Sequence, residues 1–216
     1  MRYKLVCFDL DGTLIDETES IWITLYEHLG VDLKEAAITA NRFYAGEISY
    51  EEWCKSDLRL LKEHKLNTGS FKEIAAKLKV MQGAHETLKQ LKEKGIKLAV
   101  ISGSVDTIFD LLFPSHPFDY VFINKLVFDD YGNVQDIIPT DYDCDKKGKG
   151  LKRIAETEGI STKECVFVGD YKNDISIAKE AGLSIAFNSK SEELNSVSDV
   201  VIKEKDLSLI LDHILF

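Results

Sequence analysis

The sequence lacks the features of several protein classes. No stretch approaches the roughly 20 consecutive apolar residues that a membrane span requires, and the apolar run near the N-terminus is too short for a signal peptide. Basic residues number 27 against 37 acidic ones, which gives a formal net charge of -10. Proteins that coat nucleic acid or dock on anionic membranes carry an excess of Lys and Arg. We therefore expect neither nucleic acid nor a membrane as a partner.

Paired cysteines are also missing. The four cysteines are widely scattered and none forms a C-x-x-C pair, which is typical of a reduced protein and favours a cytoplasmic location. The five histidines show no spacing typical of a metal site. Apolar residues make up 44% of the 216 residues, so a hydrophobic core can form without disulfide bonds. No pattern in the sequence indicates an oligomeric state.

Short, continuous apolar runs are present instead, and they predict buried strands. The runs lie at 3–8 (YKLVCF), 97–101 (KLAVI), 120–123 (YVFI), 164–168 (ECVFV), 184–187 (SIAF) and 199–202 (DVVI). Helical patterns occupy 85–94, 150–158 and 174–180. Because the apolar runs are continuous rather than alternating, they indicate parallel strands covered on both faces. The sequence therefore predicts an α/β fold with a doubly wound, Rossmann-like parallel sheet.

Residues 16–80 interrupt this alternation of strands and helices. The segment is rich in Glu, Lys, Leu and Ala and has no clear buried strand. It predicts a small helical cap domain inserted after the first strand, above the carboxyl end of the sheet. Residues 1–15 and 81–216 would then form the α/β core domain. A Gly-Asn turn within 126–136 predicts a small hairpin.

The strongest chemical signal is the sequence DLDGT, directly after the first predicted strand. Asp9 and Asp11 are two residues apart and leave the strand end at a Gly turn. One carboxylate can attack a phosphorus centre while the other protonates the leaving oxygen. Two close carboxylates also favour a bound dication, and oxygen ligands suit Mg²⁺. A plain Asp-Gly turn after a strand is the alternative interpretation.

Two further motifs could hold a phosphate group. Ser102 and Gly103 follow the second predicted strand, where a hydroxyl and a backbone N–H can contact a phosphate oxygen. The run KKGK supplies Lys146, Lys147 and Lys149, and a phosphoryl site needs a cation. Taken singly, these motifs are better explained as a Ser-Gly turn and a solvated basic patch.

The fourth motif, GDYKND, follows the strand predicted at 164–168. Asp170 and Asp174 lie four residues apart with Asn173 between them, so a turn there presents oxygens to a metal ion. Helix capping by Asp or Asn is the alternative. Together the four motifs indicate a functional site more strongly than each does alone, because three of them follow different parallel strands and meet at one edge of the sheet. Phosphoryl transfer depends on such positioning and charge stabilisation.

Together the motifs resemble those of the haloacid dehalogenase superfamily, in its phosphatase branch. DLDGT is similar to the nucleophile motif, VISGS to the serine motif and GDYKND to the acidic metal motif. The C-terminal half and the helical insertion resemble phosphoserine-phosphatase-like members. The resemblance covers nearly the whole chain. It implies a Mg²⁺-dependent phosphatase that acts on a small phosphorylated metabolite through an aspartyl-phosphate intermediate.

The resemblance also implies roles for individual residues. Asp9 would be the nucleophile and a metal ligand. Asp11 would be the general acid and base, with its backbone carbonyl on the metal. Ser102 and Lys147 would hold the phosphoryl group, although the other two lysines of the KKGK run remain candidates.

Further roles concern the metal and the pocket. Asp170 would bind the metal, with Asp174 as a further ligand or acting from nearby. Gly103 and Asn173 would line the substrate pocket.

The insertion departs from the family pattern at the positions that bind the substrate. In phosphoserine-phosphatase-like members an arginine of the cap holds the substrate carboxylate. Here Asp57 stands at about that point, with Lys55 and Arg59 two residues to either side. The acidic residue expected early in the cap is also shifted, with Glu17 and Glu19 as candidates. The phosphatase chemistry thus carries over, but phosphoserine as the substrate does not.

Three other functions remain to be weighed. A dehalogenase needs neither Asp11 nor a metal, so the acidic motifs disfavour it. A phosphotransferase or phosphomutase differs only in the acceptor of the phosphoryl group. A non-catalytic phosphate-binding regulatory module would have lost a catalytic residue, yet every expected residue is present.

Overall fold

The structure is a computed structural model that describes residues 2–215. Its strands are β1 Leu5–Phe8, β2 Ile15–Asp16, β3 Lys79–Val80, β4 Lys97–Val105, β5 Tyr120–Phe128, β6 Val134–Ile138, β7 Cys165–Gly169, β8 Leu183–Phe187 and β9 Val200–Ile202. Its α-helices are α1 Ile21–Leu29, α2 Leu33–Tyr44, α3 Tyr50–Glu63, α4 Thr68–Ala75, α5 Ala84–Glu93, α6 Asp106–Leu112, α7 Lys147–Glu158, α8 Ile175–Ala178, α9 Glu192–Val197 and α10 Leu211–Ile214.

Seven strands form one sheet in the order β6-β5-β4-β1-β7-β8-β9. All neighbours pair in parallel except β5 and β6. Successive side chains of β1 enter different cores, with Val6 and Phe8 in one cluster and Leu5 and Cys7 in the other. Helices therefore cover both faces of the sheet, and the predicted doubly wound fold is confirmed.

The strand order places the site. The chain passes from β1 to β4 on one side and reaches β7 on the other, so the order reverses beside β1. In open α/β sheets a crevice forms at such a reversal, outside the carboxyl ends of the strands. The DLDGT motif begins at this point, directly after β1.

The segment predicted as a cap contains helices α1 to α4. The chain leaves the core through β2 and returns through β3, and these two short strands pair antiparallel, Ile15 with Val80 and Asp16 with Lys79. The boundaries predicted at 15/16 and 80/81 fall in this ribbon, and the division into two domains stays a prediction. Helix α3 begins at a capping box, in which Ser49 and Glu52 satisfy each other's backbone N–H groups.

Some element bounds differ from the sequence prediction. The strand predicted at 120–123 and the first strand of the predicted hairpin are one strand, β5, which pairs with β4 and then with β6. The turn between β5 and β6 is longer than a Gly-Asn pair, since it covers residues 129–133. Within it the Asp129 carboxylate accepts backbone N–H groups from Tyr131 and Asn133. Helix α7 begins at Lys147, three residues before the predicted start.

None of the helices in residues 2–215 combines the length and apolar character that crossing a membrane requires.

Candidate active site

Asp9 lies at the carboxyl end of β1 and is almost fully buried. Its backbone N–H donates to the carbonyl of Val168 on β7, which fixes the turn after the strand. Its Oδ1 accepts the N–H of Leu10 at 2.8 Å and lies 3.1 Å from Nζ of Lys147. Within the part of the chain that the structure describes, Oδ2 receives no hydrogen bond. One carboxylate oxygen is therefore held while the other is available for chemistry.

Asp11 points toward the helical insertion. Its Oδ2 accepts the backbone N–H of Ile21 at 2.7 Å, at the first residue of α1, and its Oδ1 accepts the hydroxyl of Ser104 at 2.9 Å. Burial raises the pKa of Asp11 to about 6, opposed by the Ile21 hydrogen bond and assisted by the charge of Asp9. A carboxyl group with this pKa can both donate and accept a proton near neutral pH.

Lys147 is the lysine that the structure brings to the carboxylates. Its side chain is fully buried, and Nζ lies 2.7 Å from Oδ1 of Asp174 and 3.1 Å from Asp9. Burial alone would lower the pKa of Lys147, but Asp174 and Asp9 raise it well above its ordinary value. Lys146 and Lys149 are exposed. Of the three candidate lysines, Lys147 is the one that contacts Asp9 and Asp174.

Asp9, Asp170 and Asp174 form an acidic cluster, with one oxygen from each within 4.8 Å of the others. Asp174 already uses both oxygens, because Oδ1 accepts from Lys147 and Oδ2 accepts the backbone N–H groups of Asp170 and Tyr171. Burial and then the charge of Asp9 raise the pKa of Asp170. Three close carboxylates with one lysine fit a hard dication that accepts oxygen ligands.

The predicted metal ligands are thus not equivalent. Asp9 and Asp170 each keep an oxygen without a hydrogen bond among residues 2–215, since the hydroxyl of Thr13 donates only to Oδ1 of Asp170. Asp174 is placed to orient its neighbours. The side chain of Asp11 lies outside the acidic cluster, so its predicted contribution is limited to its backbone carbonyl.

Ser102 and Gly103 lie in the extended β4 strand, at the predicted edge of the sheet. Ser102 is buried, and its hydroxyl accepts the N–H of Ser104 at 3.3 Å. The Gly103 carbonyl accepts the indole N–H of Trp22 at 2.8 Å and the amide of Asn124 at 2.7 Å. A Cβ at Gly103 would overlap the carboxylate of Asp143, so a larger residue here would require that side chain to move.

Three neighbours of the site were missed in the sequence. Thr13 orients Asp170, and Ser104 orients Asp11. Thr13 lies in DLDGT and Ser104 in VISGS, so a hydroxyl group next to the predicted site residues was the signal that could have identified them. Asp143 lies in a loop before α7, and no pattern in the sequence pointed to it.

A cavity of about 400 Å³ opens over these residues, between the sheet edge and helices α1, α2 and α3. Gly103 and Asn173 line it, as predicted, and the amide oxygen of Asn173 is buried with no partner in residues 2–215. Of the two acidic candidates from the start of the insertion, Glu19 lines the cavity. Glu17 does not, and it pairs with Lys79.

The basic residues that flank Asp57 in the sequence do not reach the cavity. Arg59 is exposed and pairs with Glu35 at 3.0 Å and with Glu63 at 2.8 Å. Lys55 is also exposed and pairs with Glu51 at 2.6 Å. Neither residue replaces the arginine that the resemblance leads one to expect in the cap.

Comparisons with known proteins agree with this geometry. Residues 3–182 match the model of a family described as haloacid dehalogenase-like hydrolase. The chain is 34% identical to a phosphoserine phosphatase of Methanocaldococcus jannaschii, covering 99% of this chain and 98% of that protein. It is 31% identical to a phosphoserine phosphatase of Lactococcus lactis, covering 95% and 93%. A solved structure described as a phospho-aspartyl intermediate analogue of phosphoserine phosphatase superposes with a TM-score of 0.79 at 32% identity, covering 99% of this chain and 100% of that one.

Proposed function

The chain belongs to the haloacid dehalogenase-like hydrolase family and is a phosphatase of that family; from this premise we propose that Asp9 carries the phosphoryl group and that the metal is Mg²⁺. The observation that supports the proposal most strongly is the pairing of two unlike carboxylates after β1. Asp9 is ion-paired with Lys147, and its Oδ2 receives no hydrogen bond from residues 2–215. Asp11 has a pKa of about 6. The different surroundings of the two carboxyl groups therefore suit Asp9 to act as the nucleophile and Asp11 as the proton donor.

The reaction follows from these two groups. Oδ2 of Asp9 attacks the phosphorus atom, the bond from phosphorus to the ester oxygen breaks, and the proton of Asp11 goes to the leaving alcohol. Asp11, now ionised, then accepts a proton from water as the water oxygen attacks the phosphoryl group on Asp9. The bond from phosphorus to Oδ2 of Asp9 breaks, inorganic phosphate leaves, and both carboxyl groups return to their starting forms.

Other residues of the site hold the transferring group. The ammonium of Lys147 is within 3.1 Å of Asp9, where it can offset negative charge on a phosphoryl oxygen. Ser102 and Gly103 line the cavity beside Asp9. These groups are fixed by burial in β4 and α7 before substrate arrives, which is the form of electrostatic stabilisation that enzymes use most.

The acidic cluster supports the metal part of the proposal. Asp9, Asp170 and the backbone carbonyl of Asp11 would hold Mg²⁺, which supplies positive charge to the phosphoryl oxygens and permits Asp9 to approach them. Asp174 would keep Asp170 and Lys147 in place. Thr13 does the same for Asp170 through its hydrogen bond of 3.0 Å.

Phosphate release from simple phosphomonoesters tests the function. We expect turnover with Mg²⁺ and its loss in excess EDTA, restored when Mg²⁺ is added back. Asp170→Asn should raise the Mg²⁺ concentration needed for half-maximal rate by about tenfold or more, since it removes a charged ligand. Asp199→Asn is the matched control, because Asp199 bonds to Ser184 away from the cavity. Undiminished hydrolysis in EDTA would contradict the metal assignment, and transfer to an added alcohol without phosphate release would indicate a phosphotransferase.

Asp11→Asn tests the general acid. We expect a loss in rate of ~10²–10⁴-fold with an alkyl phosphate, because the alkoxide then leaves without a proton. An ester of an acidic phenol needs little protonation, so its loss should be at least about tenfold smaller. Rates of phosphate release from the two esters give the comparison. Equal losses for both esters would mean that Asp11 serves positioning and not proton transfer.

A further inference from the structure

The charged side chains that line the cavity are all acidic. They are Asp9, Asp11, Glu19, Asp57, Asp143 and Asp170, and the lining contains no Lys, Arg or His from residues 2–215. Asp9, Asp11 and Asp170 belong to the reaction described above. Glu19, Asp57 and Asp143 line the rest of the cavity, so a second negative charge on the substrate would meet acidic side chains there.

Asp57 is the most unusual of these acids. It lies on α3 with only 5% of its surface exposed, and its Oδ1 has no hydrogen-bond partner among residues 2–215. Burial raises the pKa of Asp57 to about 7, opposed by the nearby Tyr26 hydroxyl and Trp53 indole. A buried carboxylate oxygen without a hydrogen bond is unfavourable, and a cation placed against the carboxylate would relieve that cost.

The wall around Asp57 is aromatic. Trp22, Tyr26, Tyr44, Tyr50 and Trp53 line the same cavity. Tyr44 and Tyr50 lie edge-on to Trp53, with ring centroids 5.7 Å and 6.0 Å from it. Aromatic faces attract ammonium groups, quaternary ones included.

One of these rings already has a cation beside it. At the rim of the cavity, Nζ of Lys172 lies 5.5 Å from the centre of the Tyr44 ring. The aromatic wall of the cavity can therefore accept a cation of the protein's own, and an ammonium group of a ligand has the same chemistry.

We propose that the substrate of this phosphatase is the phosphomonoester of an amino alcohol, whose ammonium group lies between Asp57 and the aromatic wall while its phosphate lies at Asp9. The proposal rests on the function proposed above and adds its substrate class. The amino alcohol carries no carboxylate, because the part of the lining that residues 2–215 supply has no basic side chain to pair with one. Phosphoserine, which has both an ammonium and a carboxylate, should therefore be a poor substrate.

Three esters of similar size test the effects of an ammonium group and of a carboxylate on the substrate. Propyl phosphate has a neutral tail, phosphoethanolamine has an ammonium in place of the terminal methyl, and phosphoserine adds a carboxylate to phosphoethanolamine. We expect kcat/KM with Mg²⁺ to be at least about tenfold higher for phosphoethanolamine than for either of the others. Titration of the inactive Asp9→Asn variant by calorimetry should give the lowest dissociation constant for phosphoethanolamine. Phosphocholine shows whether methylation of the ammonium is accepted.

Asp57→Asn keeps the shape of the side chain and removes its charge. We expect the preference for phosphoethanolamine over propyl phosphate to fall by about tenfold in this variant. Glu51→Gln is the matched control, since Glu51 is an exposed acid on the same helix that pairs with Lys55, and its preference should stay within about twofold of the original.

The outcomes distinguish the two proposals. If the esters and p-nitrophenyl phosphate all resist hydrolysis with Mg²⁺, the proposed function is wrong and the substrate class falls with it. If the esters are hydrolysed but phosphoserine is preferred, the function stands and the substrate class is overturned; loss of that preference in Lys172→Met would identify Lys172 as the carboxylate partner. Equal rates for propyl phosphate and phosphoethanolamine would also overturn it.

Discussion

Replacing Asp9 by Asn is expected to abolish hydrolysis, lowering kcat by on the order of 10⁴-fold or more. An amide oxygen is a poor nucleophile and cannot form the acyl phosphate, so the reaction loses its first step. The fold should survive, because an amide can still accept the hydrogen bond from Leu10 and Lys147 keeps its partner Asp174. Phosphate release measures the loss, and a thermal melt measures the fold.

The control for this variant makes the same substitution seven residues later. Asp16 lies on β2, outside the cavity, where its carboxylate pairs with Lys205 at 2.6 Å. Asp16→Asn should keep its rate within about twofold of the unmodified protein. Mass spectrometry of protein stopped during turnover should also find a phosphoryl group on Asp9. Substantial activity in Asp9→Asn, or a phosphoryl group on another residue, would refute the nucleophile assignment.

Replacing Lys147 by Met is expected to have the second large effect, on stability as well as rate. Its ammonium is the basic partner of both Asp9 and Asp174 inside the protein. Removing one member of a buried ion pair leaves the other charge without compensation, and such changes lower the free energy of unfolding by about 3–5 kcal/mol. We expect kcat to fall by ~10²–10³-fold as well, because a fixed positive charge is lost from the transition state.

Urea denaturation in EDTA measures the stability change in Lys147→Met. Added Mg²⁺ should recover part of the lost stability, because a dication can offset the same carboxylates and binds only the folded chain. Lys149→Met is the matched control on the same helix. Lys149 is exposed, so its replacement should change the free energy of unfolding by less than about 0.5 kcal/mol. Equal destabilisation by the two variants would contradict the assignment of Lys147 to the site.

The core of the fold was predictable because its signals are local. Strand β1 is a continuous apolar run with all four residues buried, as are all residues of β7 and β8 and residues 98–102 of β4. Such runs predict parallel strands covered on both faces. The end of strand β5 was not predictable, since its change from a parallel to an antiparallel partner depends on which strands lie beside it.

The candidate site divides in the same manner. Asp9, Asp11, Ser102 and Asp170 follow strand ends that are visible in the sequence, so their meeting at one edge of the sheet could be predicted. The resemblance assigned Lys147 from the KKGK run, but the apolar runs by themselves did not choose among its three lysines. That choice depends on which side of α7 turns toward the acidic cluster, and neighbouring helix positions differ by about 100°.

By itself the sequence predicted a phosphatase, because apolar runs set the strands and the strands bring the candidate carboxylates to one edge. The tertiary structure alone decided what surrounds the rest of the substrate. Asp57 and Arg59 are two residues apart on α3 and therefore point in nearly opposite directions, since two helix positions span about 200°. Packing of α3 against α2 and β6 turned Asp57 inward and left Arg59 in solvent with Glu35 and Glu63. That orientation fixes the sign of the charge in the cavity.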